Sequence, residues 1–127
     1  MVTKNQILEK ISEYNEARTN SYQWYSKYIN VNLNTTFDED KTVYWNREEA
    51  ERIRTDYRKK EAASNEKACK ILEDLSFICS EYIIQEINVS KKQAAKIWNF
   101  LISKTSFIPW TQFNELEGIL DLFRADN

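Results

Sequence analysis

The chemistry open to this chain of 127 residues is bounded by a short set of reactive groups: two cysteines, 18 Lys and Arg, 20 Asp and Glu, and no histidine. Without histidine, Ser-His and Cys-His nucleophile pairs cannot form, and the commonest transition-metal ligand is missing. Cys69 and Cys79 stand ten residues apart. On one helix that is about 15 Å along the axis, while a disulfide tolerates Cα atoms only within about 7 Å. They therefore read as two buried thiols acting as small hydrophobes. A structural zinc site needs four ligands, which this pair does not begin to supply. Glu13 and Glu16 have the spacing of a di-iron helical bundle but lack its Glu-x-x-His histidines. The single glycine, Gly118, rules out both phosphate-cradling loop motifs. Asp38-Glu39-Asp40 offers oxygen ligands without the glycine and distal glutamate of a calcium loop. The chain is expected to work without a cofactor and without catalysis.

Charge and aromatic residues carry the remaining signal. The net charge is only −2, but it alternates by segment. Residues 38–51 hold six acidic and two basic residues, net −4, and residues 52–70 hold seven basic and three acidic, net +4. Residues 90–104 are net +4 with no acid, and residues 105–127 are net −3. Such alternation suits internal complementarity on solvated helix faces or an electrostatically steered interface. Tyr22, Trp24, Tyr25 and Tyr28 form a dense aromatic cluster, and Tyr and Trp are favoured interface anchors. The expected partner-binding residues are Trp24, Arg52, Arg54, Arg58 and Lys59, with Lys91, Lys92 and Lys96 in the second basic stretch.

The elements that must position these residues are helices. One glycine and one proline leave few turns with positive φ, which tight hairpins need. Ile7, Ile11, Tyr14, Arg18, Tyr22, Tyr25 and Ile29 keep 3-4 spacing and predict one helical face from Thr3 to about residue 29, with Trp24 off it. Thr3 and Gln6 fit a capping box. Residues 31–45 break the period and read as a short β-hairpin or an ordered loop. Asn46 caps the next helix, whose stripe Ala50, Ile53, Tyr57, Lys60, Ser64, Ala68, Ile71, Leu75, Ile78 and Tyr82 holds to about residue 87. A helix over 46–87 would be about 63 Å long, against a diameter near 36 Å for a compact globule of this length. It must break near Ala63-Ser64-Asn65, project as an arm, or pair with another chain; one long helix is the expectation. Asn88-Val89-Ser90 leads into a helix over 91–104 with Ala94, Ile97, Trp98, Leu101 and Ile102 on its apolar face. Thr105 to Ile108 connects to a last helix that opens at Pro109. In that helix Gly118 lowers local stability or lets another helix approach closely.

The fold class expected is an all-α bundle of three or four helices, one of them long, in a single domain over 1–127. No apolar run approaches the roughly 18 to 20 residues that a spanning helix needs. The N-terminal residues reach polar helix pattern at once, without a signal-peptide apolar core, so the expected location is the cytoplasm. The expected function is a non-enzymatic protein–protein interaction module. The chain's size and its richness in Ile, Asn and Lys, which have AT-rich codons, suit a small phage or mobile-element accessory protein that inhibits a host defence protein. One alternative is a nucleic-acid binder using the basic patches 52–70 and 90–104. Val89 to Trp98 has the look of a helix in a helix-turn-helix, with Lys91, Lys92 and Gln93 at its start. The sequence pI of about 5.3 and the absence of a short glycine turn weigh against it. The other alternative is a self-assembling homodimer through residues 46–87.

Overall fold

The computed structural model describes residues 1–31, 47–104 and 109–125. Among these the chain forms four helices and no strand: α1 (Lys4–Ile29), α2 (Arg47–Ile87), α3 (Lys91–Lys104) and α4 (Pro109–Ala125). The all-α fold with one long helix is as expected. α2 runs 41 residues without a break at Ala63-Ser64-Asn65. The hairpin or loop expected over 31–45, the cap at Asn46, the acidic run Asp38-Glu39-Asp40 and the connector Thr105 to Ile108 lie outside the described residues, apart from Val31.

The helix ends are set by local hydrogen bonding. At the start of α1, the Gln6 amide donates to Thr3 Oγ1 at 3.2 Å and the Thr3 amide donates to Gln6 Oε1 at 2.9 Å. This is the reciprocal capping box, which satisfies two otherwise orphan N–H groups. α2 ends on Asn88, which takes a positive φ of 52° while its amide donates to the Ile84 carbonyl at 2.9 Å. Asparagine tolerates this left-handed position when glycine is not there to take it. Ser90 then caps α3, its Oγ accepting from the Gln93 amide at 3.2 Å. Pro109 opens α4, where its missing N–H leaves no helical bond unmade.

The chain divides into two compact units. The first comprises Met1–Tyr14 and Lys70–Asn127. Its core takes Ile7 and Ile11 from α1, Leu75, Cys79 and Ile83 from α2, Trp98 and Leu101 from α3, and Phe113, Leu116 and Leu120 from α4, all buried. Each large apolar side chain buried in this way contributes about 1.5–3 kcal/mol. Polar seams close the edges. Val2 and Gln85 exchange two hydrogen bonds at 2.8 and 2.9 Å. The Tyr82 hydroxyl donates to Glu117 at 2.6 Å, and Arg124 pairs with Glu86 at 2.8 Å and Asp121 at 2.6 Å.

The second unit, Asn15–Cys69, is built differently. Its described buried residues are small: Ala17, Ser21, Ala50 and Ala68. Arg18 meets Asn65, Trp24 meets Tyr57, and Tyr28 meets Arg54, so α1 and α2 run antiparallel within it. Here the face of α1 departs from expectation. Tyr22, Tyr25 and Ile29 are exposed, at 65%, 42% and 56%, and the residues turned toward α2 are Ala17, Ser21, Trp24 and Tyr28. Successive four-residue steps drift by about 40° each on a helix of 3.6 residues per turn. The face in fact advances from Tyr14 by steps of three and four through the small residues. Ser21 Oγ lies 2.7 Å from Asn65 Oδ1, a separation that a tyrosine at that position would not allow.

Candidate functional site

The second unit gathers cations onto aromatic rings. Each helix supplies pairs spaced three or four apart, which a helix sets side by side. Trp24 and Lys27 on α1 face Tyr57 and Lys60 on α2. The Trp24 and Tyr57 rings stack at 5.9 Å between centroids with an interplanar angle of 29°. The Lys27 and Lys60 ammonium groups each lie 4.6 Å from the Trp24 centroid. Next along the seam, the Tyr28 ring holds the Arg54 guanidinium at 4.4 Å and the Arg58 guanidinium at 4.8 Å. Arg54 Nη2 also donates to the Tyr28 hydroxyl at 3.0 Å, while its Nε is buried without a hydrogen-bond partner among the described residues. Contacts of this kind contribute about 0.5–1 kcal/mol each when exposed and more when dry.

Of the four cations held on these rings, two also reach a carboxylate and two reach none among the described residues. Among the described residues, Lys27, Arg54 and Lys59 have no carboxylate within 4.0 Å, whereas Arg52 pairs with Glu49, Arg58 with Glu61 and Lys60 with Asp56. Beside them lies an open depression of about 240 Å³ bounded by Arg18, Tyr22, Tyr25 and Glu61. Asn65 Oδ1 closes its base, accepting from Arg18 Nη1 at 2.9 Å and from Ser21 Oγ at 2.7 Å.

The expected partner-binding residues divide accordingly. Trp24 was expected off the helix face; it is half-buried in the α1–α2 seam. Arg54 is half-buried and committed to Tyr28, Arg58 is shared between Tyr28 and Glu61, and Arg52 and Lys59 are exposed. Lys91, Lys92 and Lys96 are exposed on α3 and belong to the other unit. Lys27, Tyr28, Tyr57 and Lys60 were not among the expected partner-binding residues, although Tyr28 belongs to the aromatic cluster and Tyr57 and Lys60 to the stripe of the long helix. The i,i+3 pairs Trp24–Lys27 and Tyr57–Lys60 were visible in the sequence, but their meeting across two helices was not.

No alternative centre for chemistry stands out. Among the described residues no group of three or more His, Cys, Asp or Glu could hold a metal ion, and no helix is long and apolar enough to cross a membrane. The first unit holds an apolar cavity of about 40 Å³ lined by Cys79, Trp98 and Phe113, with the Trp98 Nε1–H buried and unpartnered among the described residues. That volume suits a water or two, not an organic cofactor. Comparison with protein-family models, curated proteins and solved structures finds no match to this chain.

Proposed function

We propose that this chain is a non-enzymatic protein–protein interaction module whose cation–aromatic seam in Asn15–Cys69 receives an acidic protein surface. The observation that carries the reading is the bracketing of Trp24 by Lys27 and Lys60 beside an Arg54 that has no carboxylate among the described residues. The rings hold these cations in place, so little side-chain entropy is left to lose on binding. The exposed Tyr22 and Tyr25 beside the depression supply rigid apolar area of the kind that anchors interfaces. The same rings serve a nucleic-acid strand poorly. Base stacking needs a free aromatic face, and those of Trp24 and Tyr28 already carry two cations each.

Charge reversal tests the reading. Lys27, Lys59 and Lys60 are exposed, so the triple variant K27E/K59E/K60E retains the fold, as helical circular dichroism would verify. Arg54 is a poorer choice, because replacing it removes a half-buried contact to Tyr28. Wild-type protein is expected to retain a partner that the triple variant loses, with wild-type retention falling as salt is raised. Equal retention by both proteins would discard the seam as the binding face.

A further inference from the structure

We infer that a second copy of this chain docks on the groove between α2 and α3, with Phe77 at its centre. Phe77 is 68% exposed, on the side of α2 away from the buried Leu75 and Cys79. With Ile84 and Ala95 it forms the apolar part of a groove of about 290 Å³. The two lips of the groove differ in sign. Glu73 and Glu81 stand on the α2 lip, and Lys91 stands on the α3 lip, with exposed Lys92 and Lys96 beyond it. None of these five charges has an ion-pair partner within 4.0 Å among the described residues.

The charge pattern selects the occupant. A uniformly acidic partner is repelled by Glu73 and Glu81, and a uniformly basic one by the lysines. The occupant must carry both signs in the reverse order. A second copy turned about a two-fold axis that runs along the groove, in the plane of the interface, does so, because it sets the α2 lip of each copy over the α3 lip of the other. That is an isologous contact, in which one patch serves both sides. Phe77 and Ile84 then lose their water against the partner's apolar strip. The surface lining the groove is far smaller than the roughly 800 Å² per partner of a standard interface, so the dimer is weak, concentration-dependent and salt-sensitive. This inference does not rest on the proposed seam, which lies in the other unit.

Sedimentation velocity across the accessible concentration range tests it, on four samples that keep wild-type circular dichroism. The wild type is expected to dimerise, and Phe77→Gln to raise the dimer dissociation constant about tenfold or more. E73K/E81K sets lysine against lysine and K91E/K92E sets glutamate against glutamate, so each alone is expected to be monomeric. Mixed in equal amounts, the two are expected to recover a dimer, since both lips are again opposed in sign. A wild type that stays monomeric throughout, a dimer indifferent to Phe77→Gln, or a mixture that stays monomeric would overturn the inference.

Discussion

At the scale of single residues, two environments make measurable statements. Both thiols were expected to be buried, but only Cys79 is; Cys69 is exposed on α2. Burial pushes the Cys79 thiol up to about 12, which leaves almost no thiolate near neutral pH. A thiol reagent is therefore expected to label one cysteine in the native protein and two in denaturant, with peptide mapping assigning the first to Cys69. Tyr82 is the second case. Burial, together with the hydrogen bond and charge of Glu117, pushes its phenol from an ordinary 10.0 up to about 12. The folded state thus keeps this proton more tightly than the unfolded state does. The resulting stability is fully present below pH 10 and is lost as pH rises toward 12. Tyr82→Phe has no such proton to lose. Between pH 10 and 12 the wild type is expected to lose stability more steeply than Tyr82→Phe in urea titrations, and parallel losses would contradict the assignment.

At the scale of elements, most of what was legible came from local rules. The capping box at Thr3 and Gln6, the apolar face of α3 and the proline start of α4 all depend on residues within a turn or two, and each appears as expected. The second half of α1 was misjudged. Bulky Tyr22 and Tyr25 were given the inner face, yet Ala17, Ser21, Trp24 and Tyr28 face α2, and of these only the small Ala17 and Ser21 are fully buried. Helical spacing alone cannot choose between neighbouring three- and four-residue steps when both carry aromatic residues. Gly118 was given two readings, and the structure selects one. A Cβ built there meets nothing within 4 Å and the backbone φ is not positive, so no helix approaches it closely. Gly118→Ala is therefore expected to stabilise the protein by about 0.5–1 kcal/mol, read as a higher denaturant midpoint with unchanged slope.

At the scale of the whole molecule, the basic stretch 52–70 was visible as composition, but its organisation was not. The carboxylate pairs of Arg52, Arg58 and Lys60 are local, but which rings the cations meet depends on contacts between residues more than 25 positions apart, such as Tyr28 with Arg54 and Trp24 with Tyr57. The long helix was legible because its apolar period persists across the polar middle at Ser64 and Asn65. Asn65 turns that polar middle to use by anchoring Arg18 and Ser21. We propose that the seam formed there binds protein and not nucleic acid. Affinity purification of tagged wild-type protein from cell extract, with and without nuclease, read by mass spectrometry beside the K27E/K59E/K60E variant, tests this. The expected result is one stoichiometric protein that survives nuclease and is lost with the variant. Recovery of nucleic acid, with every protein partner lost after nuclease, would contradict it.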